Sequence, residues 1–437
     1  MKLRNLILAT AVLLVLGGTL YWSEHRKPED AAKPNPETPT ILKVDQASVT
    51  KIELTRKDSA PIILAKSSSG VWQITQPKPL SADQGAVGGE LSALSPLESS
   101  RVVEDKASDL KPYGLDHPAT EIVITERDNK SHTLLIGDDT PTGNTAYAML
   151  SGDPRVFTLA SYTKNGIDKS LNDLRDKRLM PVAADKVTRV ELVQKNGTLE
   201  FGRDKEDWQI LKPGPFRANS FQVTELVSKV TDSQMDLTGG DGDSKELAAS
   251  FAHATPVATA KVTDPSGVHE LEVRQNNGAF LAKSSSVDGI YKVNADLGQV
   301  VAKGLDDFRA KKVFDFSFRE PNKIELHDGA KSVSLMRNGE DWWSNAKKMD
   351  AESVLQLVSN LRNIGTDKYV DSGFASPAMD ITVTSDDGKR VEKIQFAKTS
   401  DGYIAKRDNE PALYHVQNAS VSAVQQAAEG VKLAAAK

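Results

Sequence analysis

Apolar and polar residues alternate with a period of two in three separated blocks of this chain, and each block opens in nearly the same way. Val49-Thr50-Lys51-Ile52-Glu53-Leu54 returns as Val187-Thr188-Arg189-Val190-Glu191-Leu192, and again, shorter, as Lys323-Ile324-Glu325-Leu326. A self-similarity of this kind, spaced by roughly 135 residues, marks tandem structural units. The alternation predicts half-buried antiparallel strand pairs over residues 51–56 with 62–65, 189–194 with 198–202, and 323–327 with 332–336.

A tryptophan follows each pair. Trp72 stands in Val71-Trp72-Gln73-Ile74 ahead of Pro77, Trp208 in Trp208-Gln209-Ile210 ahead of Pro213, and Trp342 beside Trp343. A tryptophan recurring at one place in every unit reads most simply as a core anchor, with an exposed platform for a ligand ring as the alternative. Next come helix starts, Ser81-Ala82-Asp83, Ala218-Asn219-Ser220 and Asp350-Ala351-Glu352, whose side-chain oxygens can accept the first free backbone N–H groups. They predict helices over about 84–94, 221–230 and 351–364, covering one side of a sheet.

A turn signature follows the first helix, Tyr113-Gly114-Leu115-Asp116-His117-Pro118, weakened to Phe251-Ala252-His253-Ala254-Thr255-Pro256 and to Gly373-Phe374-Ala375-Ser376-Pro377 in the later units. Hairpins turning at Asp128-Asn129-Lys130, Asp264-Pro265-Ser266-Gly267 and Asp386-Asp387-Gly388 come next. Two more strands close each unit, and a last helix starts near Ala160, Ala295 and Ala419. In the first two units this helix runs into a basic link, residues 174–179 and 308–313, where Arg175 and Arg309 are expected to pair with acids of the neighbouring unit. The third lacks such a link, as a terminal repeat without a successor would.

The fold class expected is therefore α+β: three tandem repeat domains, each a mostly antiparallel β-sheet with covering helices, at 41–181, 182–315 and 316–437. The chain length of 437 residues independently suggests about three domains. Ahead of them, residues 6–22 form an uncharged apolar stretch from Leu6 to Trp22, preceded by Lys2 and Arg4. This reads as a transmembrane helix, a single-pass anchor in the lipid bilayer, with the cleaved export signal as the alternative. The Ala9-Thr10-Ala11 site would leave too short an apolar region for a signal, and Tyr21-Trp22 followed by His25-Arg26-Lys27 suits a membrane interface. Residues 1–5 would lie in the cytoplasm, the body outside the inner membrane, and the Pro-rich residues 23–40 would form an extended tether.

Composition narrows the chemistry. A net charge of −5 offers no general basic field, which argues against a nucleic-acid partner, and the absence of cysteine excludes disulfides, thiolate metal sites and a lipidated cysteine. No phosphate-binding glycine loop, zinc-protease helix or nucleophile elbow occurs, and the seven histidines are scattered singly. The sequence implies no enzyme activity, cofactor or metal. The acidic stretch Gly239-Gly240-Asp241-Gly242-Asp243 lacks the glutamate that closes a calcium loop. A catalytic use of Asp83, Asp116 and His117 would require the three to converge in one cleft.

The elements Trp72 to Pro77, Ala82-Asp83, Tyr113-Gly114-Leu115 with Pro118, Ile136-Gly137 leading to Thr145-Ala146-Tyr147-Ala148, and Leu174-Arg175-Asp176-Lys177 together resemble the bacterial domain-of-unknown-function family numbered 4340. The likeness is close over 41–181 and fainter beyond, where Trp208, Pro213, Arg309 and Trp342 persist. The resemblance implies a membrane-anchored accessory of an ABC-type transport system related to gliding-motility exporters, with an ABC permease or other envelope proteins as partners, and it carries over no catalytic residues. The repeated tryptophans support the alternative of an envelope glycan- or peptide-binding module.

Overall fold

A computed structural model describes residues 39–204, 207–238, 242, 244–316, 320–366 and 368–435. The expected anchor at 6–22 and all but the end of the tether lie outside these, as do Gly239, Gly240, Asp241 and Asp243 of the acidic stretch. Among the described residues no helix is long and apolar enough to cross a membrane. The chain divides into two compact units, Met1–Lys177 and Arg178–Lys437. The architecture is α+β, and the sheets are antiparallel throughout.

In the first unit the strand Val49–Arg56 lies inside a nine-stranded sheet. Ile62–Lys66, Trp72–Gln76 and Leu80–Ser81 follow on one side; Thr120–Glu126, Ser131–Asp139, Thr145–Leu150, Val156–Ala160 and the edge strand Arg101–Glu104 follow on the other. The second unit holds two further sheets, an eight-stranded one centred on Arg189–Gln194 that follows the same order without the last edge strand, and a nine-stranded one centred on Pro321–Asp328 that repeats it in full. The period-two pattern becomes a row of core residues across each centre. Ile52 pairs with Leu64 and Ile124, Val190 with Phe201 and Val262, and Ile324 with Leu335 and Val383. All nine are buried, each worth about 1.5–3 kcal/mol over exposure.

Each sheet is covered by a helix that the sequence caps locally. Asp83 accepts from the amides of Gly85 and Ala86 to start Gln84–Leu94, Asn219 from Gln222 to start Ser220–Thr231, and Asp350 from Ser353 to start Ala351–Asn363. The faces so aligned bury Val87, Leu91 and Leu94, then Val223, Leu226, Val227 and Val230, then Val354, Leu357, Val358 and Leu361. Each sheet with its helices encloses its own core.

Two features depart from the sequence reading. Residues 251–253, expected in a weakened turn, belong to the helix Lys245–His253, capped by Ser244, and the strand Thr255–Asp264 begins directly after it; only Phe251 of this helix is buried. The short edge strands Arg101–Glu104 and Lys368–Val370 were also not anticipated. They pair with strands more than 40 residues further along the chain, a contact no local pattern encodes.

Candidate functional site

The recurrent tryptophans are interior groups. Trp72, Trp208 and Trp342 are each about 5% exposed, which removes them as ring platforms. In the first two repeats the start of the covering helix reaches back to the tryptophan. The Gln84 side chain accepts from the Trp72 amide and donates to its carbonyl, both at 2.9 Å, while the Trp208 amide donates to the Ser220 hydroxyl at 3.3 Å. Cations lie over two of the rings, Lys66 over Trp72 and Arg203 over Trp208. Pro77 and Pro213 end the tryptophan strands after cis bonds, whereas the third repeat turns through Asn345 and Ala346.

The Tyr113 turn and the Ile136-Gly137 pair meet in space. A single turn of helix, Lys111–Tyr113, ends at Gly114 in the left-handed conformation (φ 65°). A side chain on Gly137 would place its Cβ 2.1 Å from the Tyr113 carbonyl oxygen, and one on Gly114 would strike the Asp138 carboxylate. Leu115 is buried, Pro118 half-buried, and the Tyr113 hydroxyl donates to Glu104 at 2.8 Å, which raises the phenol's pKa above its ordinary value. Asp116 and His117 are exposed on this turn, and Asp83 is occupied as a cap. None of the three lines a cavity described below.

Glu90, on the buried face of Gln84–Leu94, is fully enclosed with neither carboxylate oxygen hydrogen-bonded. Burial pushes its pKa up to about 8; Lys169 and Arg56 draw it down less strongly, and Asp168 adds to the rise. The Arg56 guanidinium is committed to Asp168 at 2.6 Å.

A joint of one design recurs where each repeat ends. The cap residues Asp83, Asn219 and Asp350 donate their amides to the carbonyls of Leu174, Phe308 and Lys432. The amides of Asp176, Ala310 and Ala434 then donate to Ser81, Arg217 and Lys348. Between these bonds lie the bridges Ala82 with Arg175, Ala218 with Arg309, and Met349 with Leu433. Arg175 and Arg309 are buried, whereas Leu433, in the equivalent place, is 55% exposed.

The neighbour of Arg309 corrects the expectation of an acidic partner in the next repeat. Its guanidinium lies 3.4 Å from the ring centroid of Tyr369 in the third repeat and 4.3 Å from that of Phe216 in its own, while its carboxylate, Asp306, also belongs to its own repeat. Arg217, which no sequence pattern singled out, makes the ionic contact instead. It donates to Glu410 at 3.0 Å, to the Tyr414 hydroxyl at 3.0 Å and to the Lys312 carbonyl at 2.6 Å.

From there a closed ring of alternating charge runs Arg217, Glu410, Arg407, Glu392, Arg390, Asp315 and back to Arg217, with separations of 2.6 to 3.9 Å. Burial pulls the Arg217 pKa down, but the Tyr414 hydroxyl, Glu410 and Asp315 together hold it above the ordinary value. Burial likewise pushes the Tyr369 phenol up to about 12, against the pull of Arg309 and Arg217. A cavity of about 570 Å³ opens beside the ring, with Asp207, Lys311 and Lys312 on its wall. The ring is neutral in sum, each carboxylate lying between two guanidinium groups, and of its buried polar atoms only Arg217 Nη1 makes no hydrogen bond, so its chemistry is that of a clamp. Among the described residues no cluster of three or more metal-ligating side chains forms.

A chain built of successive antiparallel sheets, each helix-covered and closed by the same joint, is a tandem-repeat protein of α+β units. It belongs to the family described as Domain of unknown function (DUF4340), whose pattern matches residues 72–249 and again 208–377. Each match begins on a recurrent tryptophan, Trp72 and then Trp208, and runs past one sheet into the next. No curated protein and no solved structure matches the chain.

Proposed function

We propose that this protein is a non-enzymatic, membrane-anchored accessory of an envelope ABC-type transport complex, held by residues 6–22 with its repeats outside the cytoplasm. The observation that carries the reading is the joint between the second and third repeats. The backbone bonds from Val313 to Ile364 and from Thr366 to Lys311, a stacked Arg309 and a closed ion ring fix one repeat on the next, which suits a scaffold presenting surfaces to partners better than a site that opens and closes on a substrate. The apolar segment, the proline-rich tether and the family resemblance support this reading of the location and the class of partner.

The test is a mild-detergent pull-down of the tagged full-length chain from its native membranes, read by mass spectrometry, beside a variant lacking residues 1–40. Recovery of permease and ATPase subunits, weakened without residues 1–40, is the expected result. Recovery of no transport subunit overturns the proposal. Protease added outside spheroplasts should digest the repeats, and full protection would overturn the placement outside the cytoplasm.

A further inference from the structure

The third repeat differs from the other two at one place on the outer face of its sheet. Where the first and second repeats continue past the buried tryptophan with Gln73 and Gln209, the third has Trp343. Strand geometry turns successive side chains to opposite faces, so Trp342 enters the core while Trp343 stands outside it, half-buried. Its cross-strand partner is Met336, which is 57% exposed; the partners of Gln73 and Gln209 are Ala65 and Gly202. An exposed methionine paired with a tryptophan on the solvent side of a sheet contributes nothing to the core beneath, and neither earlier repeat carries one.

These two side chains line a cavity of about 340 Å³, at the small end of the ~300–1,000 Å³ typical of ligand sites. Ser334, Met336 and Asn338 alternate along one strand and so share this face; Ser344 and Asn345 close the other wall with Ala346. Asn345 and Ala346 have φ of 49° and 62°, a conformation that costs an alanine energy and that a glycine would adopt freely. No charged side chain lines the cavity, and two of the lysines nearby are paired with acids, Lys323 with Glu325 and Lys348 with Asp341.

We infer that this cavity binds a neutral glycan, with a sugar ring on Trp343. The lining combines one large aromatic and a thioether with two amides and two hydroxyls. A pyranose presents the complementary surface: an apolar face of C–H groups that suits the electron-rich face of an indole, and a rim of hydroxyls that donate to and accept from amides. A wholly apolar peptide would leave the amides and hydroxyls unmatched, and a charged ligand would find no counter-ion in the lining. The inference stands apart from the transport reading, since it rests on the outer face of the third repeat alone.

Saturation-transfer NMR on the full-length protein, in a detergent without a sugar headgroup, tests it with chitotetraose, maltotetraose and cellotetraose as probes. At least one should receive saturation at its ring C–H protons. Trp343→Gln installs the residue that the first two repeats carry there, so the fold should persist by circular dichroism while affinity falls about tenfold or more, equivalent to about 1.4 kcal/mol. Met336→Ala should weaken binding in the same direction. Transfer to none of the three sugars, equal transfer in Trp343→Gln, or binding only of an acidic glycan or an apolar peptide would each overturn the assignment.

Discussion

At the scale of single residues, Gly137 is decided by space. Its neighbour at 2.1 Å from an added Cβ is a carbonyl oxygen of the Tyr113 turn, which cannot swing aside as a side chain could. Gly137→Ala should therefore destabilise the first unit by about 3 kcal/mol or more, seen as a lower denaturant midpoint at unchanged m-value. A loss within ordinary surface variation would show the turn to be mobile. Glu90 makes the second residue-scale prediction. Its pKa rises from 4.5 to about 8 on folding, so the folded state holds a proton that the unfolded chain releases between those values. The contribution of Glu90 to stability is full at or below about pH 4.5 and falls as pH rises toward 8, by about 1.4 kcal/mol per pH unit at most. Glu90→Gln cannot titrate and should flatten that slope; an unchanged slope in urea titrations from pH 5 to 8 would refute the assignment.

At the scale of elements, the joint explains why the basic links look as they do. Arg175 and Arg309 share a place in the bridge with Leu433, and only the two arginines are buried. Arg309 shows the use of a long planar cation there, since it covers aromatic rings of both the second and third repeats. The ion ring adds directional bonds across the same joint. Removing Arg217 leaves Glu410 with Arg407 alone and Asp315 with Arg390 alone, so Arg217→Ala should cost about 2 kcal/mol, below a fully buried pair because each carboxylate keeps one cation and Arg217 is 20% exposed. A double-mutant cycle with Glu410→Gln should return a coupling of about 1 kcal/mol or more, and additive losses would mean that the ring is ornamental to stability.

At the scale of the whole molecule, how much was legible in the sequence depended on the distance over which each signal acts. Strand alternation, the recurrent tryptophans, the caps Asp83, Asn219 and Asp350, and the threefold period are written within a few residues or by repetition of the chain itself. Hydrophobic periodicity and capping are local physics, so the α+β repeat class followed from the sequence alone. The edge strands escaped because they pair with distant segments. Arg217 and Glu410, 193 residues apart, the meeting of Gly137 with Tyr113, and the outward turn of Trp343 beside Met336 were likewise decided only by the fold. Each depends on which surfaces packing brings together, and a charge, a glycine or an aromatic has no periodic signature that names its eventual neighbour.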